Sequence, residues 1–413
     1  MPFKLQPSQN PPRSDTLRFS ISESEHKSRI EQARKYLHKR KLDALYLTNG
    51  TSMFYLTGYS FISTERPAAL IIPLDGEITF IGPRLEEDHV PLETNLIKNV
   101  KTYVDYPGEK HPIEHFATFL KEMRLDKKRI GIDNRAGASG MWGYKGPTLA
   151  KKLPEARFAD ASELVPNMRQ VKSTAEIELM KESAKWANLA MTLLQEYTEE
   201  GLWDVDVALA ATHETSVIMK KTLGSDYAPK RNIVPVSAHF RGQIGEMSAI
   251  PHSMSTKRTI KKGDVIIAEV GVDIGGYTCE LERTMIVGSP TAKQERYFGT
   301  MLKAQEAAFN AMKRGNKISE VDKATIDVFK KAGLMSLTRH HSGHGLGLET
   351  HEPPWLDIGN EEPFRNRMIV SCEPGIYEVG FAGFRHSDTV LINEDKADLL
   401  THYPRDLSSL IIS

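Results

Sequence analysis

Eight side chains able to ligate a metal or move a proton gather in the C-terminal half of the chain: His252, Glu269, Glu280, Glu282, His344, His351, Glu373 and Asp388. Two of the glutamates close apolar runs, Val265-Ile-Ile-Ala-Glu269 and Met368-Ile-Val-Ser-Cys-Glu373. A carboxylate at the end of a buried strand is costly unless it meets a partner. Such positions therefore point to a site, and the plain alternative is a salt-bridged sheet edge. Ser342-Gly-His344-Gly-Leu-Gly347 is a glycine-rich loop around an imidazole. It lacks the Lys-Ser/Thr ending of a phosphate loop and matches no dinucleotide fingerprint. Its glycines would let the backbone approach a ligand closely. His351-Glu352-Pro353-Pro354 follows, and the two prolines would stiffen it.

The elements that must hold these groups can be read from periodicity. Residues 1–20 are polar and proline-rich and read as an extended arm, partly disordered or packed on a neighbour. Ile21 to Arg40 has a charged helical pattern. Asp43 to Thr48 reads as a strand closed by an Asn49-Gly50 turn. Ala68 to Pro73 and Glu77 to Gly82 read as strands joined through Asp75-Gly76, and Arg129 to Asp133 as another. Helices are expected near 112–125 and 147–153. Strands alternating with helices make this an α/β domain over residues 21–168.

Ser173-Thr-Ala-Glu176 has capping-box spacing and opens the second domain, residues 169–413. A long helix follows, then a second over about 205–220. Strand-like runs occur at 232–240, 265–274 and 277–288, helices at about 292–314 and 318–332, and strands at 368–378 and 384–392. This order of helices, strands, helices and strands is compatible with two related halves, without an internal repeat to prove it.

Composition excludes several classes. Lys+Arg and Asp+Glu both number 54, so the chain lacks the basic excess that phosphate binding needs. No apolar run approaches a membrane span, and residues 1–18 lack the apolar core of a signal peptide. Two cysteines in 413 residues do not make a disulfide scaffold, so a cytoplasmic location is the expectation. Cys279 and Cys372 each precede a site glutamate, so strand alternation should turn both sulfurs away from the site and into the core.

Four ordered motifs carry a resemblance. Gly343-His-Gly-Leu-Gly-Leu-Glu-Thr-His-Glu-Pro-Pro354 resembles the histidine motif of prolidases and aminopeptidases P. Cys372-Glu-Pro-Gly-Ile-Tyr377 resembles their Glu-Pro-Gly motif. Gly276 to Thr284 is similar to the strand carrying their second metal aspartate, and Ile250-Pro-His252 to their first active-site histidine. The chain thus resembles the pita-bread superfamily of creatinase, prolidase and aminopeptidase P over about residues 170–410. It resembles the creatinase-like N-terminal domain more loosely before that. The resemblance implies an α/β creatinase-like N-terminal domain, an α+β pita-bread catalytic domain, and a homodimer in which one N-terminal domain overhangs the partner's site.

The family's metallopeptidases hold two divalent ions with two Asp, one His and two Glu. By resemblance the aspartates fall on Glu269 and Glu280, the His on His344, one Glu on Glu373, and the bridging Glu on Ser387. Losing the bridge removes a ligand from each ion and argues against a dinuclear centre. Two readings stay open. In one, Glu280, His344 and Glu373, with Glu269 as a further candidate, hold one ion of Mn, Zn, Fe or Co. In the other, as in metal-free creatinase, no ion is used. There His252 is the acid/base, Glu282 and Glu373 bind a cationic substrate, His344 and His351 hydrogen-bond its carbonyl or carboxylate, and Arg66 and Arg385 contact it. Trp355 and Glu280 depart from creatinase and argue against creatine itself.

The expectation is a hydrolase of a C–N bond in a small zwitterionic substrate or an Xaa-Pro peptide, with no nucleic-acid or membrane partner. A mononuclear lyase and a non-catalytic binding module on the same fold are the alternatives.

Overall fold

The computed structural model describes residues 19–106, 108–139, 144–224, 227–231, 234–254, 258–394 and 396–413. The expected N-terminal arm falls almost wholly outside the described residues, as do residues 232 and 233 of one strand-like run. The chain divides into two units, Ile21–Arg169 and Gln170–Ser413, the latter taking in the first twenty residues.

The first unit is built on a six-stranded mixed sheet. Its strands lie in the order Ile97–Tyr103, Ile78–Pro83, Ala69–Pro73, Ala44–Leu47, Arg129–Ile132 and Arg157–Asp160. The expected hairpin through Asp75-Gly76 is present and antiparallel. The helix Pro112–Glu122 buries Ile113, Phe116 and Leu120 against Tyr46, Ile71 and Ile130 of the sheet. Asn49-Gly50 is not a turn. The Asn49 side chain accepts from the Ser52 N–H at 2.9 Å and caps a helix over Gly50–Thr57. An asparagine that can close a turn can equally satisfy a helix's first free amides.

The second unit has two larger sheets, each with its own helix pair, and a two-stranded one. One sheet has the order Ile411–Ile412, Leu281–Val287, Val265–Val272, Val236–His239, and helices Thr174–Tyr197 and Asp204–Leu223 pack beside it. The other has the order Glu352–Trp355, His344–Gly345, Ile369–Cys372, Asp388–Ile392, Ala397–Leu399. Helices Ala292–Ala311 and Ser319–Lys331 pack on each other beside it. Ser173 and Glu176 form the expected capping box at the first helix. The run expected as one strand over 368–378 is two, Ile369–Cys372 and Gly375–Glu378. Pro374 lies between them and has no N–H for a ladder bond. The second piece pairs instead with Ala382–Arg385.

Two glycines of the His344 loop make room for neighbouring backbone. A Cβ at Gly343 would overlap the Ser371 carbonyl, and one at Gly345 would overlap the Pro353 carbonyl. They let His344 lie tightly between two strands.

Candidate active site

The sheet register sets out one row of polar groups. Glu269 stands opposite His239 on one side and Glu282 on the other. Glu282 in turn exchanges backbone hydrogen bonds with Ser387, at 2.9 and 3.1 Å, where the two sheets join. Residues directly opposite on antiparallel strands share a face, and Glu280 reaches that face by two-residue alternation. Glu373 follows the strand Ile369–Cys372, its N–H donating to Ser342 O at 2.9 Å.

The four glutamates line a cleft of about 490 Å³ together with Arg241, Ile250, His252, His344, His351 and Arg385. Arg339, His340 and His341 also face it. The structure thus brings together nearly all the candidate residues named from the sequence. Asp388 is the exception within the second unit. Arg66 belongs to the first unit, where Asp105 and Glu65 hold its guanidinium at 2.8 and 2.6 Å. Asp388 is turned to the opposite face from Ser387 and forms a fully buried ion pair with Arg283 at 2.8 Å. Cys279 and Cys372 are buried and do not line the cleft.

His344 is the best-defined imidazole. Its backbone N–H donates to Ser371 Oγ at 3.0 Å, and its Nδ1 lies 3.0 Å from the Gly345 carbonyl. A carbonyl only accepts, so Nδ1 carries the proton. That leaves Nε2, buried and with no aligned hydrogen-bond partner, aimed into the cleft. It lies 3.1 Å from Glu373 Oε1 and 3.8 Å from Glu280 Oε2. His351 stacks on the His344 ring with centroids 3.8 Å apart.

On the other side, Arg385 grips Glu282 with two parallel hydrogen bonds, from Nε and Nη2. Its Nη1 donates to the Tyr377 hydroxyl at 3.2 Å, and that hydroxyl lies 2.7 Å from His340 Nε2. Arg241 pairs with Glu269 and lies 3.8 Å from Glu282.

The crowding of carboxylates shows in their acidity. Burial, then repulsion from Glu282, pushes Glu269 up to about 8 despite Arg241. Burial and Glu373 raise Glu280 to about 7, against the pull of His344 and the Ser387 hydrogen bond. Burial would raise Glu373 too, but His344, His340 and Arg385 bring it down to about 2. Burial works to lower His344, yet Glu373 and Glu280 outweigh it and lift the imidazole to about 9. Without a cation, a proton holds the place between these groups.

Arg241, His340 and Tyr377 were not picked out as site residues from the sequence. His340-His341 directly precedes the Ser342-Gly-His motif and was the available signal. Arg241 offered none, because its partners lie on strands 28 and 41 residues downstream at Glu269 and Glu282.

Fold and cleft together define a pita-bread protein with a carboxylate–imidazole site. The model of metallopeptidase family M24 matches residues 178–394, and that of the creatinase/prolidase N-terminal domain matches 29–171. The chain belongs to the M24 family and is a hydrolase. It is 27% identical to the Xaa-Pro dipeptidase of Pyrococcus furiosus, over 92% of this chain and 99% of that one. Among solved structures it resembles a dipeptidase from Pyrococcus horikoshii, with a TM-score of 0.76, 27% identity, and coverage of 93% of this chain and 100% of that one. It also resembles the recombinant prolidase of Thermococcus sibiricus, with a TM-score of 0.78, 27% identity, and coverage of 95% and 99%. Among the described residues no helix is long and apolar enough to cross a membrane.

The family implies a divalent metal, and the donors can be tested against that. Glu280, His344 and His351 offer ligand atoms within 4.8 Å of one another, as do Glu280, Glu282 and Glu373. The buried, unaligned Nε2 of His344 is the atom a metal needs, with its other nitrogen fixed by a carbonyl. One histidine and two carboxylates is an acceptable catalytic set.

Proposed function

We propose that this cleft hydrolyses the C–N bond of a dipeptide-sized zwitterionic substrate of the Xaa-Pro type, using one divalent ion held by Glu280, His344 and Glu373. The observation that carries this reading is the convergence of His344 Nε2 with Glu373 and Glu280 in a cleft that also holds His252 and His351. The similarity to the P. furiosus Xaa-Pro dipeptidase and the T. sibiricus prolidase supports the substrate class.

When bound, the ion would polarise the scissile carbonyl and acidify a water. The chain's own residues do the rest. His252, exposed at the mouth of the cleft, takes the proton from the attacking water and returns it to the departing nitrogen. His351 donates to the substrate carbonyl or carboxylate from its stacked position on His344. The resemblance gave Glu282 a substrate ammonium to hold. Here both its oxygens are taken by Arg385, so Glu282 is a positioning residue in this reading. Homodimerisation is part of the same proposal and is read from the mass in solution.

The test is hydrolysis of Xaa-Pro dipeptides by chain loaded with Mn²⁺, beside the matching Xaa-Ala peptides. Proline-dependent release of free amino acid is the expected result. A loaded chain that cleaves neither peptide class overturns the proposal. Turnover of guanidino compounds by metal-free chain would support the creatinase-like alternative.

A further inference from the structure

The floor of the cleft contains four carboxylates, Glu269, Glu280, Glu282 and Glu373, and two guanidiniums, Arg241 and Arg385. Arg339 also lines the cleft, but it is exposed and donates to the Ser336 and Thr338 carbonyls, so it does not enter this count. The charges divide in space. Arg385 takes both oxygens of Glu282, and Arg241 takes Glu269 while standing 3.8 Å from Glu282. Glu280 and Glu373 are left to face His344 Nε2, which is buried and has no aligned hydrogen-bond partner. Four negative charges against two guanidiniums leave two, which one divalent ion matches while His344 stays neutral.

Glu280 itself is restricted. Ser387 Oγ donates to Glu280 Oε1 at 2.6 Å, so one oxygen is occupied and Oε2 is the one nearer His344. A carboxylate held in this way serves one ion on one side. Arg241 is placed at some conformational cost. Its φ is 50°, a region non-glycine residues rarely adopt, and Gly242 follows at 69°. Two left-handed residues in succession after the strand Val236–His239 place a guanidinium beside Glu269.

We infer that Arg241 is a built-in cation that fills the Glu269–Glu282 half of the cleft and holds the site to a single divalent ion. It is a specificity-determining residue for metal number. Removing its charge opens a second cation site at Glu269, beside Glu282, and a lysine in its place keeps that site closed. The inference rests on the metal-centred reading above for the count in the native chain. The increment of one ion on removal of Arg241 stands apart from it.

The experiment is equilibrium dialysis against Mn²⁺ at about pH 8.5, where protons compete less for the carboxylates. Bound metal is measured in the native chain, Arg241→Ala and Arg241→Lys, with circular dichroism confirming that each is folded. Expected are one ion for the native chain, one more for Arg241→Ala, and no change for Arg241→Lys. In Arg241→Ala, mutual broadening of the Mn²⁺ electron paramagnetic resonance signal would show the two ions to be neighbours. An unchanged count in folded Arg241→Ala overturns the inference and leaves the proposed function standing. Two ions in the native chain overturn the inference as well. No ion in the native chain but one in Arg241→Ala overturns the one-ion reading, and with it the inference that Arg241 holds the site to a single ion. Should Arg241→Ala not fold, Arg241→Gln replaces it, and an unchanged count there overturns the inference equally.

Discussion

The two halves of the cleft use the same residue type for different ends. In one, Glu269 and Glu282 face each other across neighbouring strands and are neutralised by arginines belonging to the chain. In the other, Glu280 and Glu373 face the His344 imidazole nitrogen at 3.8 and 3.1 Å. A carboxylate pair closed by guanidinium is finished when the chain has folded. A pair closed only by a histidine lone pair waits for a cation from solution. Burial alone does not separate the halves, since Glu282 and Glu280 are both buried. The partner decides.

Breaking the open half should have the largest effect. His252→Ala or His344→Ala is expected to lower kcat about 10²–10⁴-fold. Only His344→Ala should also lose its metal, seen by elemental analysis, and metal retained in folded His344→Ala would rule out the ligand set. In the closed half the damage should fall on stability. Arg385→Met strands Glu282 as a buried, unpaired charge and should cost about 3–5 kcal/mol in urea denaturation. Pairing it with Glu282→Leu should recover much of that loss, and a double variant no better than the single would mean that packing, not charge, sets the cost.

The third prediction concerns pH. Glu373 and Glu280 lift His344 to about 9, so below that pH its proton must leave before a metal can bind. Lowering the pH favours the protonated imidazole, so affinity falls as pH falls. The Mn²⁺ dissociation constant should rise about tenfold per pH unit between pH 9 and 7, and more steeply below 7, where Glu280 also binds a proton. A dissociation constant that stays flat across that range, measured by titration calorimetry in several buffers, would remove His344 from the ligand set. The smallest effect is expected for Ser387→Ala. It frees Glu280 Oε1 and should change metal affinity about tenfold, in line with other groups that orient a ligand. An unchanged affinity would mean that Ser387 does not orient Glu280.

Much of the open half was legible in the sequence, because its members sit in a glycine-rich motif or at the end of an apolar strand. His344 and Glu373 are of this kind. The closed half was only half legible. Glu269 and Glu282 show by alternation, whereas Arg241 lies in a short irregular segment after a strand and acquires meaning only through sheet register. The same limit explains the first unit. The edge strands Ile97–Tyr103 and Arg157–Asp160 were not read, since their exposed positions break the period-two pattern. Asn49 was misread because its side chain suits a turn and a helix cap alike.

The paired hydrogen bonds between Glu282 and Ser387 join one sheet to the other directly beneath the cleft. Their amides should therefore exchange with deuterium only when the two sheets separate, not when either frays alone. The floor of the cleft then reports the cooperativity of the whole catalytic unit. A fragment ending before Ser387 would carry His252, Glu269, Glu280, His344 and Glu373, yet have no seam to hold them in register.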